Sequence, residues 1–133
     1  TIAARDALGA RTKIVAVVAE KAPAFALSLA QNRVVSHEVT TRIADGMACR
    51  TPDRDALDIA RNGVDRVITV GDDEVEAAMR AYFADTHNTA EGAGAAALAA
   101  ALKESETIRG RQIAVILSGA NVDSTIFSGV LES

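Results

Sequence analysis

Apolar residues follow two rhythms along this chain. Lys13-Ile14-Val15-Ala16-Val17-Val18-Ala19 is a continuous, β-branched run, which predicts a strand buried on both faces, as in a parallel sheet. Arg66 to Val70 and Gln112 to Leu117 repeat the pattern, and Val34-Val35 has the makings of a short further strand. Between these runs the period is helical. Ile2 to Leu8 opens the chain and Gly9 stops it. Pro23 starts a short helix, Ala24 to Gln31. Val39 to Arg54 is polar and irregular, and a helix from Asp55 to Asn62 ends at Gly63. Asp72 is placed to cap a helix running from Glu74 to about Thr86, with Val75, Ala78, Met79, Tyr82 and Phe83 at helical spacing. Ala90 to Glu104 is apolar almost all round, which predicts a buried helix. Asp123 caps a last helix to about Leu131. Strands alternating with helices over short connections imply an α/β layer fold with a mostly parallel sheet.

Composition narrows the function. The chain has 133 residues, 49% hydrophobic and 24% charged, enough for a real core in one domain. A net charge of −4 argues against a nucleic-acid or anionic-membrane binder, either of which needs clustered Lys and Arg. No run approaches the roughly 20 apolar residues of a membrane span, and the N-terminus has no signal pattern, so the cytoplasm is the default compartment. One cysteine, Cys49, excludes an internal disulfide. Twenty-eight alanines against four aromatics point to a core built on close backbone approach. The chain opens in helix-like sequence without an initiator Met, which suggests that a first part is missing.

In open α/β sheets, ligands bind at the carboxyl ends of strands. Three loops qualify: Glu20-Lys21-Ala22, Gly71-Asp72-Asp73 and Ser118-Gly119-Ala120-Asn121. In the last, Ser118 is the first residue off a rigid strand, Gly119 lets a ligand approach the backbone, and Asn121 can donate and accept. The plain alternative, a strand–helix turn with a capping Asn, stays open on this segment alone. Gly92 to Ala97 fits GxGxxA, but no strand precedes it and position 112, where an acidic residue is expected, is Gln. A tightly packed helix start, with Glu91 at the positive end of the dipole, is the better reading. Ile43-Ala44-Asp45-Gly46-Met47 reads by itself as a loop with an Asp-Gly turn. His37, His87 and Cys49 stand without partners that would make them catalytic.

Taken in order, these segments resemble the C-terminal half of the pyridoxal-phosphate-dependent threonine/serine dehydratases, the fold type II (tryptophan synthase β-like) group that includes serine racemase. Ile43-Ala44-Asp45-Gly46 is similar to the family's I-A-D-G. Glu91-Gly92-Ala93-Gly94-Ala95 resembles its E-P-[AT]-[AG]-[AG], and Leu117-Ser118-Gly119-Ala120-Asn121-Val122-Asp123 its L-S-G-G-N-[VI]-D. The resemblance runs from about Thr1 to Asp123 and implies a three-layer, Rossmann-like domain, the C-terminal part of a larger cofactor domain. It implies pyridoxal 5'-phosphate as cofactor, bound by Ser118, Gly119, Asn121, Gly46 and Glu91, with Ser118 meeting the pyridine nitrogen. A neutral hydroxyl there leaves the ring a weaker electron sink than a carboxylate would. The implied reaction takes a β-hydroxy amino acid to a 2-oxo acid and ammonia, through loss of the α-proton and then of the β-hydroxyl. The implied partners are an amino-acid substrate, the missing N-terminal part, and a second copy in a dimer.

The departures carry equal weight. The family's Schiff-base lysine lies in S-x-K-x-R-G, a setting that none of Lys13, Lys21 and Lys103 has, and the glycine-rich phosphate cradle is absent. The chain alone is therefore expected to be inactive and to hold no catalytic residue. Some relatives bind a divalent cation through Glu, a carbonyl four residues on and Asp six on. Glu20 and Ala24 match the first two, but position 26 is Ala, which leaves a Mg²⁺ or Ca²⁺ site short of a carboxylate. Gly92 stands where proline is usual. Two alternatives remain: a non-catalytic Rossmann-like binding or assembly module, and a racemase. An exposed apolar flank on the first strand would favour the truncated enzyme over the module.

Overall fold

A computed structural model describes residues 1–133. The first helix, α1 (Ile2–Ala7), ends as its sequence requires. Gly9 takes φ +60°, the Gly9 N–H bonds the Asp6 carbonyl at 3.1 Å and the Ala10 N–H bonds that of Arg5 at 2.9 Å, the paired bonds of a glycine-terminated helix. Strand β1 (Val15–Ala19) follows, then α2 (Ala24–Ala30), a 3-10 turn at Asp45–Met47, α3 (Arg54–Gly63) and β2 (Arg66–Val70). The chain closes with α4 (Asp72–Thr86), α5 (Gly92–Lys103) and α6 (Ser124–Glu132).

β1 and β2 pair in parallel, Val15 opposite Arg66 through Ala19 opposite Val70. α5 packs against both strands and, most extensively, against α4. The main core joins Val70, Val75, Ala78 and Met79 to the small face of α5 (Ala95, Ala96, Ala99 and Ala100) and to Val130 of α6. Alanine lets α4 and α5 approach closely, and Phe83 and Phe127 meet edge to face at 5.6 Å between ring centres. The parallel α/β arrangement expected from the sequence is present.

Several local expectations need correction. Val34-Val35 forms no strand: the Val35 N–H donates to the buried Ser28 hydroxyl at 2.8 Å, which replaces a ladder bond. Asp72 is not a helix cap. Gly71 holds that place, Glu74 accepts the Gly71 N–H at 2.8 Å, and Asp72 lies inside α4. Helix α3 begins earlier than expected because Asp53 caps it, accepting the Ala56 N–H at 2.9 Å. Gly63 belongs to α3, where a Cβ would lie 2.5–2.9 Å from the Ile2 side chain, so it serves close packing of α1 rather than chain reversal.

The largest correction concerns the third strand. Residues 112–118 belong to no element, and the sheet has two strands. β1 is buried only at Val18 and Ala19, while Val15, Ala16 and Val17 stay half-buried. A groove of about 590 Å³ separates them, lined by Ile14, Val15 and Val17 on one side and Ile113, Val115 and Ile116 on the other, with Ala97 and Ala101 of α5 among its walls. The Glu20 N–H bonds the Val70 carbonyl, so by the two-residue period the backbone groups of Ala16 and Val18 face β2 and those of Val15, Val17 and Ala19 face the groove. Ile113 and Ile116 are more than half exposed. The accessible surface is 8247 Å², against about 6,600 Å² for a closed globular chain of this mass.

Candidate functional site

The site forms where the start of α5 meets two loops. Glu91 is the N-cap residue of α5. Its N–H bonds the Gly119 carbonyl at 3.1 Å, and its carboxylate accepts the Asn121 N–H at 3.0 Å. Glycines permit this contact. A Cβ at Gly119 would lie 2.6–2.9 Å from the Glu91 carboxylate, and one at Gly94 would strike the Gly119 carbonyl. The second loop arrives from the other side: a Cβ at Gly92 would collide with the Ile43 carbonyl, and one at Gly46 would lie 2.8 Å from the Ala93 Cβ and 3.5 Å from Glu91 Oε1. Gly46, Glu91, Gly119 and Asn121 are thus brought together. Ser118 adjoins them, exposed and free of any side-chain hydrogen bond within the chain. The sequence Gly92-Ala93-Gly94 is a packing device, as the tight helix start suggested.

Downstream, Asp123 caps α6 by accepting the N–H groups of Thr125 and Ile126 at 2.8 and 3.3 Å. These donors hold its carboxyl below the usual carboxylate range. The turn that carries Ser118 is therefore fastened at Glu91 and at Asp123.

A pyridoxal cofactor needs an amine for its aldehyde, an anion cradle for its phosphate and a partner for its ring nitrogen. Each lysine here is already engaged. Lys13 pairs with Asp65 at 2.9 Å, Lys21 with Asp72 at 2.9 Å, and Lys103 with Glu74 at 3.0 Å and the Thr69 carbonyl at 2.9 Å. The exposed, neutral Ser118 hydroxyl fits the third requirement alone.

The Glu20 carboxylate lies towards Gly71, the Ala24 carbonyl takes the Ser28 hydroxyl at 2.7 Å, and no three His, Cys, Asp or Glu side chains are grouped to hold a metal. His37 is exposed, its Nδ1 2.8 Å from the Glu38 carbonyl. His87 ends α4 with φ +56°. Cys49 is half-buried and unpaired.

One cluster had no sequence signal beyond an acidic residue after a strand. The Asp72 carboxylate, 5% exposed, accepts Lys21 Nζ at 2.9 Å and the Thr41 hydroxyl at 2.6 Å. Burial pushes this carboxyl up, but the hydrogen bonds from Lys21 and Thr41, the Lys21 charge and the Arg42 N–H outweigh it and hold it low. No helix is long and apolar enough to cross a membrane.

The chain is 35% identical over 120 residues to an L-threonine ammonia-lyase of Geobacter sulfurreducens, covering 90% of this chain and 30% of that protein. It is 32% identical over 122 residues to a catabolic L-threonine dehydratase of Staphylococcus aureus, covering 90% and 35% respectively. The processed form of threonine deaminase isoform 2 from Solanum lycopersicum superposes with a TM-score of 0.83 at 31% identity, over 91% of this chain and 34% of that one. Maize serine racemase gives 0.82 at 28%, over 98% and 41%. The chain spans about a third of the length of the curated relatives it matches. The model of the pyridoxal-phosphate dependent enzymes matches residues 1–119, and the chain belongs to that family.

Proposed function

We propose that residues 1–133 form the C-terminal part of the cofactor domain of a threonine/serine ammonia-lyase, completed by an N-terminal part that brings the Schiff-base lysine and the phosphate loop. The observation that carries this reading is the Ser118–Asn121 turn, clamped to the start of α5 by Glu91 and presenting an uncommitted hydroxyl. The half-exposed flank of β1 supports the truncated enzyme over a free-standing binding module.

Bound pyridoxal phosphate would supply the electron sink that lets the α-proton of an amino acid leave. Ser118 would bond the ring nitrogen without obliging it to stay protonated. Gly46 and Gly119 keep two loops close to the α5 start, and the Glu91 carboxylate fixes the Asn121 N–H so that Ser118 holds its direction. The names of the relatives favour threonine over other β-hydroxy amino acids. Serine as a further substrate, a cytoplasmic location and a homodimer come with the family resemblance. Racemisation is the second reading, favoured by the likeness to maize serine racemase.

The test is the full-length polypeptide loaded with pyridoxal phosphate and given L-threonine or L-serine. The expected result is release of a 2-oxo acid with ammonia, and Ser118→Ala is expected to alter the visible spectrum of the bound cofactor and lower the rate. A D-amino acid appearing without ammonia would favour the racemase. An unchanged spectrum and rate in Ser118→Ala would remove Ser118 from the ring nitrogen.

A further inference from the structure

The segment that carries Gly46 is held at two ends. At one, its Ile43 carbonyl and Gly46 press on Gly92 and Ala93 at the start of α5. At the other, Thr41 donates its hydroxyl to Asp72 at 2.6 Å while its oxygen accepts the Ala44 N–H at 3.3 Å. Asp72 is a buried carboxylate on α4 that takes the Thr41 hydroxyl and the Arg42 N–H of this segment, whereas Lys21 links it to the loop after β1. The α4 helix is the main packing partner of α5, and Val75 in its first turn shares the core with Ala95 and Ala96, so that turn is held relative to Glu91. A charge-assisted bond from a fixed, desolvated carboxylate is a strong and directional restraint. The Thr40 N–H to Lys21 carbonyl bond at 2.9 Å supports the same segment without using the Lys21 amine.

We propose that Asp72 is a positioning residue: through Thr41 it sets where segment 41–47 meets the start of α5, and so where Gly46 stands in the cofactor site. The site role rests on the function proposed above. The Lys21 ion pair serves a different end, tying the β1 loop to α4.

The test uses the full-length polypeptide with Asp72→Ala, Thr41→Val, Thr41→Ser and Lys21→Met. Two quantities are read: hydrogen exchange of the peptide spanning 41–48 without cofactor, and the dissociation constant and emission spectrum of pyridoxal phosphate on loading. In Thr41→Val, exchange is expected to quicken by about tenfold or more, the loss of one bond to a charged acceptor, and Asp72→Ala, which also frees the Arg42 N–H, quickens it at least as much. Cofactor affinity falls and emission shifts with it. Thr41→Ser keeps the hydroxyl and restores both, and Lys21→Met, which leaves the Thr41 bond in place, perturbs both less than Thr41→Val. Wild-type exchange in Thr41→Val, or an equal effect from Lys21→Met, would overturn the assignment. Should the wild-type protein bind no pyridoxal phosphate while the exchange pattern follows this order, the function reading fails and the restraint on segment 41–47 stands.

Discussion

Gly46→Ala puts the close packing of the site to a numerical test. The new methyl would lie 2.8 Å from the Ala93 Cβ, where carbon pairs settle at about 3.5–4.0 Å. Neither atom can rotate away, because a Cβ moves only with its backbone. The loop must therefore retreat from α5 by about 1 Å. Overpacking of this kind costs about 1–3 kcal/mol, and the stiffer unfolded chain returns about 0.4–1 kcal/mol. The net expectation is a destabilisation of about 0–2.6 kcal/mol, together with weaker cofactor binding. Ala93→Gly opens the space, at a cost of up to about 1 kcal/mol in helix propensity. The double variant should therefore be more stable than the sum of the singles predicts, by about 0.5–3 kcal/mol of coupling. Urea unfolding of the four proteins measures this, with cofactor titration beside it. If the two effects simply add, the methyl–methyl collision is not what Gly46 avoids, and the packing account of this site is wrong.

Other outcomes follow from single groups. Tyr82 has a buried hydroxyl with no hydrogen-bond partner, and burial raises its pKa, so Tyr82→Phe should stabilise by roughly 1 kcal/mol in urea unfolding. Asp53→Ala removes the cap of α3 and should cost about 0.5–2 kcal/mol by the same measurement. Asp72 is held below its ordinary pKa, so its contribution is complete above the unfolded value of about 4 and is lost as pH falls through the lower folded value. Unfolding midpoints taken from about pH 6 downward should therefore drop less in Asp72→Ala than in wild type below pH 4. Parallel curves would show that Asp72 is not a source of acid sensitivity.

Legibility in the sequence followed the range of the interaction. Helices α4, α5 and α6 were readable because period, dipole and caps act within a few residues, as Asp123 shows. The joining of Gly46, Glu91 and Gly119 was readable only by resemblance, since the glycines reveal their purpose through atoms about 25 to 50 positions away. Asp72 was misread because a strand-ending Asp suits a cap, and nothing local reports that Lys21 and Thr41 come to claim it. Residues 112–117 have the composition of a strand, but a strand exists by pairing, and β1 is paired only with β2. The same holds for Val35, where one serine hydroxyl took the donor that a ladder would have used.

The unfilled slot beside β1 has a consequence for handling the molecule. Bare main-chain donors and acceptors next to Ile14, Val15 and Val17 form an adhesive seam, and a seam of this kind templates strand addition between neighbouring molecules. The net charge of −4 is a weak deterrent at short range in physiological salt. Produced by itself, the polypeptide would clump in proportion to its concentration.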